Sequence, residues 1–158
     1  MKELLRELCM LDGVAGYEEE VRHAIEKKIA PYVSEMTVDP LGNLIVLKKG
    51  AKERKRPVLL CAHMDEVGFL VRRITDDGMI RLTTAGGIDP RVMIGRRLKV
   101  GPQKIPGVIS LKAIHLTTPE DRKTAPGIDQ LYVDIGAQSR AETEKLVQIG
   151  DPVFFDSA

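Results

Sequence analysis

The residues best suited to chemistry in this sequence are His63 and Asp65, which stand two positions apart after an apolar run. Side chains alternate along an extended chain, so residues two apart share a face and these polar groups can lie side by side. A neutral imidazole nitrogen can bind zinc or a similar cation, and a nearby carboxylate fixes the imidazole tautomer. The spacing therefore indicates a metal ligand with its support. The competing interpretation is a structural histidine at a strand end, because short motifs also arise by chance.

The apolar run itself, residues 58–62, predicts the element that would position these groups. A continuous apolar run of this length is typical of a strand that is covered on both faces of a sheet. In an open α/β sheet, the carboxyl end of such a strand borders the binding crevice. We therefore expect the site at the edge of an α/β sheet, and Cys61 as a buried structural thiol within the strand.

Composition places the chain among globular proteins and provides no overall field for nucleic acid or anionic lipid. Of 158 residues, 43% are hydrophobic and 30% charged, and 24 Lys and Arg nearly balance 23 Asp and Glu. The basic stretch at residues 48–56 lacks interleaved aromatic residues, which indicates a solvated loop.

The first residues of the chain include acidic side chains and no long uncharged run. We therefore expect neither a signal peptide nor a membrane span, and we expect a cytoplasmic location. Two cysteines in such a chain are expected to be reduced.

The first part of the chain predicts two helices and a hairpin. Apolar residues recur at helical spacing over residues 2–12 and again over residues 17–30, where Pro31 ends the pattern. Strands are predicted at residues 36–39 and 43–48, joined by a Pro and Gly turn. His23 is a single histidine on the second predicted helix without a partner at i+4, so no function is assigned to it.

The later part of the chain predicts an antiparallel barrel or sandwich. Short strand-like runs are separated by glycine and proline turn signals, a pattern that favours all-β architecture over further βαβ layers. Ser139 and Glu142 have the spacing of a helix capping box. The predicted strands are residues 71–74, 79–83, 96–100, 108–112, 131–135 and 153–155.

Several strings resemble the M42 family of metallo-aminopeptidases, the tetrahedral aminopeptidase group. The string AHMDEVGF at residues 62–69 resembles the family's first metal motif, and the likeness runs in the same order through almost the whole chain. The further matching segments are residues 13–18, 39–43, 105–109, 114–116, 134–137 and 149–151.

This resemblance implies an α/β fold class with an insertion. Residues 1–70 would form the N-terminal part of an α/β metallopeptidase catalytic domain. Residues 71–153 would form an inserted all-β, barrel-like dimerisation domain, and residues 154–158 would return toward the catalytic domain. His115 and Asp134 fall within the insert and are interpreted as structural.

The resemblance also implies an activity, namely removal of N-terminal residues from peptides by water activated between two divalent metal ions, zinc or cobalt. In the family, the histidine matching His63 binds a metal, and the aspartate matching Asp65 supports that histidine and is counted as catalytic. The implied partners are a peptide substrate and further copies of the chain, joined through the inserted domain as dimers and dodecamers. Neither nucleic acid nor a membrane is expected.

The remaining metal ligands and the general base of the family have no counterpart in this sequence, so we expect little or no peptidase activity from this chain alone. Asp121 is only superficially similar to the missing aspartate motif, and no role is assigned to it.

One alternative function is that of a non-catalytic self-association module, which a metal-free stable oligomer would favour. Another is a glycoside hydrolase, but such enzymes flank the scissile bond with two carboxyl groups, whereas Asp65 and Glu66 are expected on opposite faces of extended chain.

Overall fold

A computed structural model of the chain describes residues 1–52, 56–113, 115, 117–118, 123 and 126–157. Asp121, the flanking positions 114 and 116 of one matching segment, and residues 53–55 of the basic stretch lie outside the described residues. The chain divides into two compact units, Met1–Asp65 and Glu66–Ala158. Each unit is described by itself. No helix in the described ranges combines the length and apolar character needed to cross a bilayer.

The first unit contains the two predicted helices and the predicted hairpin. Helix α1 is Lys2–Cys9, and helix α2 is Glu19–Ile29, followed by a 3-10 helix at Ala30–Tyr32. Acidic residues in the first turn of α2 and lysines in its last turn suit the helix dipole, and Pro31 in the 3-10 segment cannot continue the α-helical ladder. Strand β1, Glu35–Val38, pairs antiparallel with β2, Leu44–Leu47.

The hairpin turn is held by the carboxylate of Asp39. One of its oxygens accepts the backbone N–H groups of Leu41 and Asn43 at 2.9 Å each, and the other accepts the Asn43 side-chain amide at 2.8 Å. The Asn43 side chain is the largest cause that lowers the Asp39 pKa from its ordinary value, because each bond favours the charged carboxylate. Gly42 takes the positive φ of 86° that this turn requires.

The prediction of a covered strand at residues 58–62 is wrong for the structure described. Val58, Leu59 and Leu60 are 83%, 84% and 89% exposed, Cys61 is exposed as well, and the run belongs to no strand. A covered strand needs hydrogen-bonded neighbours at its edges and layers on its faces. Among the described residues of this unit, strands β1 and β2 pair only with each other, and the buried apolar side chains are Val14 and Val21. The unit thus provides neither neighbours nor layers for the run.

The second unit is a closed antiparallel barrel, which confirms the barrel prediction for this part of the chain. Its strands follow the order β3-β4-β7-β6-β5-β8 around the barrel, and β8 closes it between β3 and β5. The strands are β3 Gly68–Ile74, β4 Ile80–Ala85, β5 Arg97–Val100, β6 Ile105–Ser110, β7 Tyr132–Asp134 and β8 Pro152–Phe155.

The barrel interior is a continuous apolar core. Side chains that alternate inward on neighbouring strands fill it, and Phe69 meets Phe155 in an edge arrangement with ring centroids 5.2 Å apart. At Gly107 an added Cβ would lie only 2.7 Å from Val133 Cγ1, so the glycine lets the strands approach closely. The fully buried members include Phe69, Ile80, Leu82, Leu98, Ile109, Leu131 and Val133.

Helix α3, Arg140–Thr143, fastens the turn between β3 and β4. Ser139 caps it by accepting the Glu142 N–H at 3.4 Å, as predicted, but Glu142 reaches back to the Gln138 N–H at 2.7 Å rather than to that of Ser139. The buried hydroxyl of Thr143 donates to the Gly78 carbonyl at 2.7 Å. Gly78 has a φ of 85°, so the hydroxyl holds a turn that requires glycine.

Replacing Thr143 by valine is expected to lower the free energy of unfolding of the barrel by about 1–3 kcal/mol. Valine keeps the volume but leaves the Gly78 carbonyl without its buried donor. Amide hydrogen exchange of core strands measures the change. The matched control is Thr83→Val, at an exposed position of β4. It is expected to change the free energy of unfolding by less than about 0.5 kcal/mol. Equal effects of the two substitutions would show that the buried hydrogen bond contributes nothing specific.

An exposed ion pair caps the 3-10 helix Pro90–Val92. Asp89 accepts from the Arg91 backbone N–H at 2.9 Å and from the Arg91 guanidinium, and these bonds lower the Asp89 pKa to about 2. The guanidinium is the largest cause. Because the folded-state pKa lies below the ordinary 3.8, the contribution of this carboxylate to stability is present above that value and is lost as the pH falls through about 2.

The substitution Arg91→Gln is therefore expected to raise the Asp89 pKa toward its ordinary value. Carboxyl-carbon NMR during an acid titration would report the midpoint directly. Asp77 is an internal control, since its pKa is lowered chiefly by the Thr75 hydroxyl and does not depend on Arg91. A midpoint for Asp89 that stays near 2 in the variant would contradict the assignment to the guanidinium.

Candidate metal site

His63 and Asp65 are brought together in the first unit. Nδ1 of His63 lies 3.0 Å from Asp65 Oδ1 and 3.0 Å from the Asp65 backbone carbonyl oxygen. A carbonyl oxygen can only accept, so Nδ1 carries the proton in this arrangement. In the neutral imidazole the Nε2 lone pair is then available to a cation, and the tautomer is the one that a metal-binding Nε2 needs.

Exposure leaves this imidazole open to a ligand. The His63 side chain is 85% exposed, and that of Asp65 is 43% exposed. The imidazole does not face into packed hydrocarbon, as a histidine with a purely structural role in a core would. The pair therefore presents one nitrogen donor whose orientation is fixed from behind by a carboxylate and a main-chain carbonyl.

The turn between α1 and α2 supports the segment that carries the pair. At Gly13 an added Cβ would lie 2.8 Å from Val21 Cγ2 of α2 and 3.4 Å from the Met64 carbonyl oxygen. Only a glycine therefore fits between the helix and the residue that separates His63 from Asp65. The sequence identified this glycine as part of a turn, but the packing on Met64 joins residues 51 positions apart and has no local signal.

The described residues bring one imidazole and one carboxylate together, and they form no complete metal site. No group of three or more His, Cys, Asp or Glu side chains in the described ranges could hold a metal ion. His23 lines a shallow groove between α1 and α2 beside Glu20 and Lys27, and His115 is exposed in the second unit. A neutral imidazole with its Nδ1 anchored fits a divalent transition metal as one donor of several.

A cavity of the barrel has different chemistry. A cleft of about 610 Å³ lies beside β4 and β7. Its described lining contains no histidine or cysteine, so it does not resemble a zinc or cobalt site. The polar groups that line it include Thr75, Asp77, Arg81, Lys112, Gln130 and Tyr132.

Comparison with known proteins identifies the family. The model of the M42 glutamyl aminopeptidase family matches residues 42–158. The chain belongs to the M42 family. Among curated relatives, FrvX of Escherichia coli (strain K12) is 40% identical over 153 residues, which cover 94% of this chain and 42% of FrvX. The chain spans 40–46% of the length of the curated relatives it matches.

Solved structures of M42 relatives share this fold. The TET aminopeptidase of Thaumarchaeota archaeon SCGC AB-539-E09 superposes with a TM-score of 0.89 at 34% identity, covering 98% of this chain and 44% of that one. The TET1 peptidase of Pyrococcus horikoshii gives 0.83 at 38% identity, covering 98% and 46%. A Thermotoga maritima protein described as an endoglucanase gives 0.81 at 39% identity, covering 96% and 44%.

Proposed function

We propose that this M42 chain contributes His63 as a metal ligand, and Asp65 as the group that positions it, to an aminopeptidase centre that removes N-terminal residues from peptides. The observation that carries the proposal is the double contact of His63 Nδ1 with Asp65, which leaves Nε2 free and exposed. The centre would hold two divalent ions, zinc or cobalt. The family match supports the reaction class, because M42 relatives include glutamyl and lysyl aminopeptidases.

When bound, divalent ions would supply a Lewis acid that polarises the peptide carbonyl and lowers the pKa of water. The role of His63 is to offer Nε2 at a fixed position. The role of Asp65 is to keep the proton on Nδ1 and to prevent rotation of the ring, which raises the basicity of the donor nitrogen. The Asp65 backbone carbonyl makes the same contact, so part of this positioning does not depend on the carboxylate.

We further propose that this chain alone has little or no peptidase activity. The described residues contain no group of three or more His, Cys, Asp or Glu side chains that could hold a metal ion. The exposed run of Val58, Leu59 and Leu60 supports the same conclusion, because three large apolar side chains in sequence are a surface that a neighbouring layer would cover. A polypeptide that corresponds to the later part of the relatives would supply both the layer and the remaining ligands.

Self-association of the barrel unit is the second candidate function. The observation that favours it is the contrast between the units, since the barrel has a continuous apolar core, whereas the described residues of the first unit include two buried apolar side chains. The relative TET1 of P. horikoshii can assemble into a tetrahedron or a large octahedral shell. We propose that copies of this chain associate through the barrel, as dimers and as dodecamers, in a cytoplasmic peptidase with no nucleic-acid or membrane partner.

The test compares the chain alone with a chimera in which it is joined to the C-terminal part of P. horikoshii TET1, here named the TET1 chimera. Both are assayed with aminoacyl-anilides and added zinc or cobalt. We expect hydrolysis by the chimera and none above background by the chain alone. Hydrolysis by the purified chain alone would contradict the proposed dependence. A stable metal-free oligomer with no activity in either form would favour the self-association function instead.

The glycoside hydrolase alternative is tested with the same preparations. The T. maritima neighbour described as an endoglucanase makes this a necessary control. In this chain the Asp65 carboxylate contacts His63 Nδ1, which is the position of a group that orients an imidazole rather than of an acid that flanks a sugar bond. We expect no release of reducing sugar from cellulose oligosaccharides by the TET1 chimera.

A further inference from the structure

A bulge in β3 places two consecutive arginines on the outer surface of the barrel. The register between β3 and β4 shifts between Val71 and Arg73, so that Val71 pairs with Leu82 and Arg73 pairs with Arg81. Val71 and Ile74 are buried, while Arg72 and Arg73 between them are both exposed. In a regular strand one of the two would point inward. Bulges commonly re-aim a side chain in this way.

The bulge creates an unfavourable concentration of like charge. Arg73 stands opposite Arg81, with Arg72 next to it at the bulge, and like charges directly across a strand pair repel. Two of the three are held in place: Arg72 donates to Asp129 Oδ1 at 2.5 Å, and Arg81 donates to the Leu131 carbonyl at 2.8 Å. The side chain of Arg73 makes no hydrogen bond or ion pair with any residue in the described part of the chain.

The three arginines line one cavity. It has a volume of about 290 Å³ and is lined by Arg72, Arg73, Arg81 and Asp129, with Leu82 and Ile128. Three cations against one carboxylate leave a net charge of +2 at this cavity. Asp77 also attracts Arg81 electrostatically, but it accepts from the Thr75 hydroxyl and lines the larger cleft rather than this cavity.

We propose that this cavity binds a phosphate group, with Arg73 as its principal donor. A phosphate offers three strong acceptor oxygens and a charge of about −1.5 to −2, which is opposite in sign and similar in size to the net positive charge of the residues that line the cavity. Planar guanidinium forks suit phosphate oxygens in two-point contacts, and Arg81, fixed by main-chain carbonyls, is already oriented. The bound anion would neutralise the repulsion between Arg73 and Arg81. The site is independent of the proposed peptidase centre.

Isothermal titration of the full chain with inorganic phosphate and with AMP, a phosphomonoester, tests the proposal. We expect saturable binding that Arg73→Gln weakens by at least about tenfold, since hydrogen bonds to charged groups contribute that much. Asp129→Asn should tighten binding, because it removes the competing carboxylate of Arg72. A gain in affinity cannot be produced by loss of folding. Tighter binding of AMP than of phosphate would identify an organic phosphate as the ligand, and equal binding would identify the free anion.

The matched control is Arg97→Gln, which removes one arginine elsewhere on the barrel, where it pairs with Asp156 at 3.3 Å. It should leave phosphate affinity unchanged. Absence of binding at millimolar phosphate in the unaltered chain would overturn the proposal. So would an equal loss of affinity in the Arg97→Gln and Arg73→Gln variants, because this would show a diffuse charge effect rather than a site.

Discussion

The substitution His63→Ala in the TET1 chimera is expected to lower kcat/KM for aminoacyl-anilides by about a thousandfold or more. A metal centre contributes several kcal/mol to transition-state stabilisation, and each 1.36 kcal/mol corresponds to a factor of ten. Alanine removes the one nitrogen donor that the described structure orients outward, with its Nδ1 anchored on Asp65. The metal content of the purified chimera should fall together with the activity.

The substitution Asp65→Asn is expected to cost less, about 10–100-fold in activity or metal affinity, as is usual for groups behind a ligand. The effect is smaller because the Asp65 backbone carbonyl still accepts from Nδ1. His23→Ala and His115→Ala are the matched controls and should leave both properties unchanged. Equal losses in all three histidine variants, or a loss in Asp65→Asn larger than that in His63→Ala, would contradict the assigned roles.

The substitution Phe69→Ala is expected to destabilise the barrel by about 3–5 kcal/mol, the usual cost of deleting a fully buried aromatic side chain. Phe69 is 0% exposed, lies on the strand that pairs with both β4 and β8, and contacts Phe155 across the closure of the barrel. Amide hydrogen exchange on β7, which does not pair with β3, measures the loss for the whole barrel rather than for a local opening.

An exposed apolar position elsewhere on the barrel provides the control for Phe69. Val108 on β6 is 42% exposed, and Val108→Ala should change the free energy of unfolding by less than about 0.5 kcal/mol. If Phe69→Ala left exchange on β7 unchanged while that on β3 rose, the barrel would not unfold as one cooperative unit. That outcome would contradict the continuous core described above.

The barrel could be predicted from the sequence because its signals are local. Short apolar runs alternate with glycine turns, and the positive φ values at Gly78, Gly101 and Gly136 fall in such turns. The β3 bulge could not be predicted, since the sequence Val71-Arg72-Arg73-Ile74 shows which residues are charged but not that both arginines point outward. Register depends on pairing with β4, which is a tertiary property.

The proximity of His63 and Asp65 could be predicted from alternation along the chain, whereas the environment of the preceding run could not. Residues 58–62 have the composition of a covered strand, but burial depends on the elements that surround a run. The sequence of the run itself does not show whether another element packs on it. The contact between the two candidate residues was therefore accessible to sequence analysis, and the surroundings of the preceding run were not.

Long-range ¹H–¹⁵N NMR of the imidazole nitrogens tests the central claim most directly, because the chain has three histidines to assign. In the metal-free chain, the neutral form of His63 should carry its proton on Nδ1. In the TET1 chimera, added zinc should shift the Nε2 resonance of His63 and leave His23 and His115 unchanged. A His63 that is protonated on Nε2, or whose nitrogens do not respond to zinc in an active chimera, would contradict the assignment of His63 as a metal ligand.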